Sequence, residues 1–182
     1  MPNGYLLTGS PGVGKTTVIR EAIAGSKARA GGFYTEEIRV SGVRQGFKII
    51  TLDGHDSILA HANISSHHKV GKYAVDVDNL DDVAVTALHQ AIDETDLIVI
   101  DEIGKMELFS PLFKEAVLNA IRSNKKVLGS IMLNHHPFAD EIKRLPGVKV
   151  VQVSRANRNQ ILNEVMGWLK STTDENNAQA DR

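Results

Sequence analysis

Gly9-Ser10-Pro11-Gly12-Val13-Gly14-Lys15-Thr16 fits the phosphate-loop pattern G-x-x-x-x-G-K-[ST], and its surroundings decide the fold. Tyr5-Leu6-Leu7 before it is a short apolar run, read as a buried strand. After it, Thr17-Val18-Ile19-Arg20-Glu21-Ala22-Ile23-Ala24 carries apolar residues at helical spacing, and Gly25 offers a stop. The glycines let successive backbone N–H groups turn inward around a phosphate. The helix start adds unpaired N–H groups and the positive end of its dipole. Lys15 supplies a charge for the outer phosphates, and Thr16 a hydroxyl for a magnesium ion.

A second stretch supports the first. Leu97-Ile98-Val99-Ile100 is a continuous apolar run that leads directly into Asp101-Glu102. Such a run reads as a strand covered on both faces, as in a parallel sheet. Carboxylates at its C-terminal end stand where open α/β sheets bind ligands. The first acid can hold the hydration shell of magnesium. The second can orient and deprotonate a water aimed at the terminal phosphate.

Composition sets limits. A chain of 182 residues predicts one domain with a real core. Its 42% hydrophobic and 24% charged residues are ordinary for a globular protein. The net charge of −1 gives no drive toward nucleic acid or anionic membrane. Cysteine is absent, which excludes disulfides and thiolate metal sites. The N-terminal apolar residues are used by the first strand, so no signal peptide is expected. No run approaches the roughly 18 apolar residues of a membrane span. A cytoplasmic enzyme is the expectation.

Further along, Phe33 to Val40, Gln45 to Leu52 and Ile58 to Ala60 read as strands joined by turns at Ser41-Gly42 and Asp53-Gly54. Strands joined so tightly are antiparallel, and they predict an antiparallel insertion over about 32–62. Residues 61–72 read as a loop, and Tyr73 to Val77 as an extended segment. A helix capped by Asp78 or Asn79 is expected before the acidic strand, and a helix starting at Ser110-Pro111 after it. Lys126 to Met132 reads as a strand, Phe138 to Leu145 as a short helix, and Val148 to Val153 as the last strand. Ser154 is the expected cap of a final helix, and 171–182 an expected disordered tail after a single domain over 1–170. Alternating strands and helices make a three-layer α/β domain. The acidic strand, reached after one intervening strand region, suggests a mostly parallel, RecA-like sheet.

Several segments together are more specific than any one motif: Thr8 to Thr17, Gly32-Phe-Tyr-Thr-Glu-Glu-Ile-Arg39, Gly46 to Gly54, Val70 to Val77, and Val99-Ile-Asp-Glu-Ile-Gly-Lys-Met-Glu-Leu-Phe109. In this order the chain resembles the small nucleoside-triphosphatase family first described in thermophilic archaea and bacteria, which has a human cancer-related nucleoside-triphosphatase as a relative. The match weakens after residue 133. The resemblance implies Mg2+-dependent hydrolysis of nucleoside triphosphates (ATP, GTP, CTP and UTP) to diphosphates, with loose base selectivity. It implies that Gly9, Ser10, Pro11, Gly12, Val13, Gly14, Lys15, Thr16 and Thr17 cradle the phosphates. Thr16 and Asp101 would hold Mg2+, and Glu102 would activate water. Ile100, Ile103 and Gly104 would flank the nucleotide, and Lys105 would lend positive charge to the transition state.

Asn157 and Arg158 follow the last strand, on the side where bases often lie in this superfamily. Glu36 and Glu37 occupy adjacent strand positions, so only one can face the site. Arg39, Arg44 and Lys72 join Lys105 as candidates for a cationic finger. The adjacent pairs His67-His68 and His135-His136 cannot easily converge on one metal. Two other function classes compete: a nucleotide or small-molecule kinase with the same phosphate loop, and an RNA- or protein-associated ATPase. The absence of a dense arginine cluster argues against the first. The neutral net charge and lack of a basic aromatic strip argue against direct RNA binding.

Overall fold

The computed structural model describes residues 1–171; all but the first residue of the expected tail over 171–182 lies outside the described residues. Nine strands form one sheet in the order β5-β6-β4-β3-β2-β7-β8-β1-β9. These are β1 Gly4–Thr8, β2 Ala30–Val40, β3 Val43–Thr51, β4 Asp56–His61, β5 Lys69–Val70, β6 Tyr73–Val75, β7 Leu97–Ile103, β8 Lys126–Ile131 and β9 Val148–Gln152. From β2 to β9 the neighbours are parallel. From β2 outward to β5 they are antiparallel. The architecture is a three-layer, RecA-like phosphate-loop fold, in which β8 separates the phosphate-loop strand β1 from the acidic strand β7.

The apolar runs occupy the parallel centre because both faces there are covered. Helices α1 (Lys15–Ala24) and α6 (Arg158–Lys170) cover one face. The other is covered by α3 (Thr86–Glu94), α4 (Pro111–Arg122) and α5 (Pro137–Arg144). Alternation along β7 divides its side chains cleanly. Leu97 and Val99 join the core under α1 and α6, and Ile98, Ile100 and Ile103 the core under α3 and α4.

The antiparallel part grows out of the parallel sheet. β2 pairs with β7 over Ala30 to Tyr34 and with β3 from Phe33 to Val40. One strand therefore serves both halves, and its outer half rises past the carboxylates of β7.

Two caps differ from the sequence expectation. The helical region starts at α2 (Val77–Asn79), and Asp76, not Asp78 or Asn79, caps it by accepting the Asn79 N–H at 2.9 Å. A π-helical stretch over Leu80–Val85 then joins α2 to α3. At the other end Asn157, not Ser154, occupies the N-cap of α6. Ser154 stands three residues earlier and accepts the Asn157 N–H. Ser110 caps α4 as expected, accepting the Phe113 N–H at 2.9 Å with Pro111 following.

Gly32 is the tightest point of the β2–β7 pairing. Its φ is 110°, and a Cβ there would collide with the Val99 carbonyl oxygen. Gly32→Ala is expected to lower the unfolding free energy by about 1–3 kcal/mol. It would be read as a lower urea midpoint at unchanged m-value; an unchanged midpoint would refute the close approach.

Candidate active site

The site forms where β1, β7 and β8 end. After Thr8 the chain turns through Gly9, Gly12 and Gly14, whose φ angles are 148°, 78° and 104°. These are left-handed values that glycine adopts without a Cβ penalty. Gly14 is the N-cap of α1, so the loop ends on free helix N–H groups. Lys15 folds back over the loop, and its Nζ donates to the carbonyls of Gly9 at 2.8 Å and Ser10 at 3.2 Å. Ser10, Pro11, Gly12 and Thr17 are exposed, and Val13 packs against the core under α1.

β7 delivers Asp101 to this loop. The Thr16 hydroxyl donates to Asp101 Oδ2 at 2.7 Å, and the Ser130 hydroxyl of β8 donates to Asp101 Oδ1. Asp101 is only 2% exposed. Burial raises its pKa, against the hydrogen bonds from Ser130 and Thr16 and the charges of Lys15 and Arg20. Glu102 follows through a cis peptide bond. Burial, and then the Asp101 charge, raise the Glu102 pKa, and Lys15 opposes the shift. Two carboxylates and one ammonium thus share the mouth of the loop. Thr16 and Asp101 present hard oxygens to each other, the donor chemistry that suits Mg2+.

Comparison with known proteins finds relatives along most of the chain. The NTPase family matches residues 4–166. The chain belongs to that family. It is 47% identical to nucleoside-triphosphatase THEP1 of Thermotoga sp. strain RQ2 over 165 residues, which cover 91% of this chain and 94% of the relative. It is 35% identical to the human cancer-related nucleoside-triphosphatase over 192 aligned positions, covering 94% and 99%. The crystal structure of THEP1 from Aquifex aeolicus superposes with a TM-score of 0.83 at 38% identity, covering 91% of this chain and 99% of that one.

The remaining residues singled out in the sequence fall into three groups. The first lies at the mouth. Gly104 is buried beside Glu102, and Lys105 is exposed next to it. Arg158, at the start of α6, reaches the loop from the other side: a Cβ on Gly14 would stand 3.4 Å from its Nη1 and 3.5 Å from its Cδ. The second group points away. Ile100 and Ile103 are fully buried in the core under α3 and α4, so only their backbone borders the site. The third group is already engaged. Asn157 accepts the Ser154 N–H at 2.7 Å and donates to the Gln152 carbonyl at 3.0 Å, which builds the turn before α6. Arg39 and Arg44 both pair with Glu37, at 2.6 and 3.0 Å. Lys72 lies over the Tyr73 ring.

Glu36 and Glu37 separate by strand alternation. Glu36 pairs with Arg20 of α1 at 3.3 Å and Lys48 at 3.8 Å. Arg20 also covers the Tyr34 ring at 4.7 Å. Burial raises the Tyr34 pKa, the Arg20 charge lowers it and the Asp101 charge raises it, so the phenol borders the acidic strand end. Arg20, Tyr34 and Ser130 were missed in the sequence. Only Arg20 left a signal there, one helical turn beyond Thr16.

Glu107 is the third acid of this wall, only 5% exposed. Burial, and then the Glu102 charge, push its pKa from the ordinary 4.5 to about 8. A folded-state pKa above the unfolded one means that between about pH 4.5 and 8 the unfolded chain has released a proton that the folded chain keeps. Stability must therefore fall as pH rises through that window. In thermal melts of the nucleotide-free protein, Glu107→Gln is expected to gain in Tm relative to wild type as pH rises across this range. A difference in Tm that does not change with pH would overturn the assignment.

Proposed function

We propose that the chain hydrolyses nucleoside 5'-triphosphates to diphosphate and phosphate with Mg2+ and with little base selectivity. The observation that carries this reading is the Thr16–Asp101 hydrogen bond. It joins the phosphate loop to the acidic strand end, and with a nucleotide bound there Glu102 would lie beside the γ-phosphate. Lys15 and the loop N–H groups hold the phosphates. Thr16 and Asp101 would hold Mg2+, which when bound supplies positive charge against the phosphate oxygens. Glu102 accepts a proton from water as the water oxygen bonds to the γ-phosphorus and the bond to the diphosphate oxygen breaks. A pKa raised by burial moves this base toward working pH, where proton transfer is most efficient. Lys105 adds charge beside the reacting phosphate.

Base reading falls to Arg158. A guanidinium plane and its aliphatic stem stack on any base, because every base has a π-face. Strong discrimination instead needs buried polar groups that the wrong base leaves unpaired. Asn157, whose amide is spent on its own turn, supplies none.

Lys15→Ala is expected to abolish most turnover in a folded protein. Glu102→Gln should keep affinity for the Mg2+–nucleotide complex and lose about 10²–10⁴-fold in kcat. Lys105→Ala should lose less, again in kcat. Phosphate release without added acceptor is the assay, and it separates hydrolysis from kinase activity. Wild-type turnover in folded Lys15→Ala would remove the loop from the chemistry.

Arg158→Ala should raise KM for ATP, GTP, CTP and UTP in parallel and leave kcat nearly unchanged. The four wild-type kcat/KM values should lie within about an order of magnitude. A preference above about 100-fold, some 2.7 kcal/mol, would reveal a specific base pocket.

A further inference from the structure

Glu107 is a buried carboxyl group beside the site, and no step above uses it. It begins the 3₁₀ turn Glu107–Phe109, which is tied back by the Leu108 N–H to the Gly104 carbonyl at 3.0 Å and by the Ser110 N–H to the Glu107 carbonyl at 3.1 Å. Its side chain is turned inward, and the backbone N–H groups of Glu107 itself and of Gly104 oppose the rise in its pKa. Glu102 lies against the same point. A Cβ on Gly104 would stand 2.9 Å from Glu107 Oε2, 3.2 Å from Glu102 Cδ and 3.3 Å from Glu102 Cγ. Gly104 therefore leaves just enough room for two glutamate side chains to flank one amide. Lys15, folded over the phosphate loop, favours the charged form of Glu102.

We propose that Glu107 is a positioning residue for Glu102: its buried carboxyl group anchors the Gly104 amide and closes the space behind the Glu102 side chain, leaving the Glu102 carboxylate directed at the phosphate loop. This rests on the reading of Glu102 as the base. Three observations favour it over a second base. Glu107 is more deeply buried than Glu102. Its Oε2 is wedged against Gly104 rather than turned to the phosphate loop. Burial and the Glu102 charge keep it protonated where Glu102 must be ionised. A group held in that state cannot take the proton from water, but it can hold a neighbour in place without repelling it. Positioning within a fraction of an ångström governs the rate of such a step.

The test is a double-mutant cycle on kcat, with affinity for a non-hydrolysable ATP analogue measured alongside. E107M fills the volume and removes the acceptor. It is expected to lower kcat at least about tenfold, with KM and analogue affinity within about threefold. E107Q keeps an acceptor oxygen at the same reach and should hold kcat within about threefold of wild type. In the E102Q background E107M should cost nothing further, because its only effect passes through Glu102. Wild-type kcat in E107M, a tenfold loss in E107Q, or a full additional loss in E102Q/E107M would each overturn the positioning role. Wild-type turnover in E102Q would instead overturn the general-base reading. Should E107M not fold, E107D withdraws the acceptor by one methylene: reduced kcat at unchanged KM is the expected result, and wild-type kcat the overturning one.

Discussion

The buried Asp101 carboxylate ties two strands, β7 and β8, to the helix that follows the phosphate loop. β1 and β7 are not neighbours in the sheet, because β8 lies between them. Each Asp101 oxygen therefore bonds to a different element: Oδ1 accepts from Ser130 of β8, and Oδ2 from Thr16 of α1. A carboxylate this buried is unfavourable unless its lone pairs are met. The two hydroxyls meet them, and the charges of Lys15 and Arg20 oppose the shift that burial imposes. Replacing such a group with an apolar residue would suit the fold as well or better. Its presence fits the proposed function, in which the oxygens of Thr16 and Asp101 would hold Mg2+ together.

The same logic accounts for the outer sheet. Beyond Tyr34, β2 has lost β7 as a partner and depends on β3 alone. Its exposed half is laced with ion pairs on both faces, Glu36 to Arg20 and Lys48, Glu37 to Arg39 and Arg44. Pairs this exposed contribute little stability. Their effect is directional. They hold Arg39 and Arg44 on Glu37, and they hold Arg20 over Tyr34 beside the acidic strand end. The extension also touches the wall of the site directly, where the His68 ring meets Phe109 at 4.7 Å.

Much of this was legible in the sequence because the signals were local. The phosphate loop, the run ending in Asp101-Glu102 and the Ser110-Pro111 cap each declare themselves within a few residues. Caps decided by the path of the chain did not. Asp76, Asp78 and Asn79 are all competent caps, and only the departure from β6 selects Asp76. Ser154 and Asn157 bond to each other, so either reads as the cap until the backbone is seen. Strand order was illegible for another reason. Buried parallel strands share one apolar vocabulary, so Leu97 to Ile100 does not say that β8 lies between it and β1. What fixes the neighbours is close backbone approach, at Gly32 against Val99 and at Gly129 against Ile100, and a lone glycine in a strand does not name its partner. Ser130 was invisible for the same reason: its role exists only through the register of β8 on β7.

The three acids of the wall also show why residue type alone could not assign roles. Asp101, Glu102 and Glu107 are all shifted upward by burial. What differs is what opposes burial. Asp101 has two hydroxyl donors and two cations, so its oxygens suit a charged, ligating role. Glu102 has Lys15 alone and is the least buried of the three, so it can exchange a proton and be reached by water. Glu107 has backbone N–H groups only and faces the charge of Glu102, so it is the one that keeps its proton. In the proposed mechanism, pushing neighbouring carboxyl groups apart in this way would let one cluster hold a ligand, a base and a support at the same pH. The sequence spacing D-E-I-G-K-M-E contains all three acids, but the environments that would divide these roles come from the depth at which the strand end and the 3₁₀ turn bury each one.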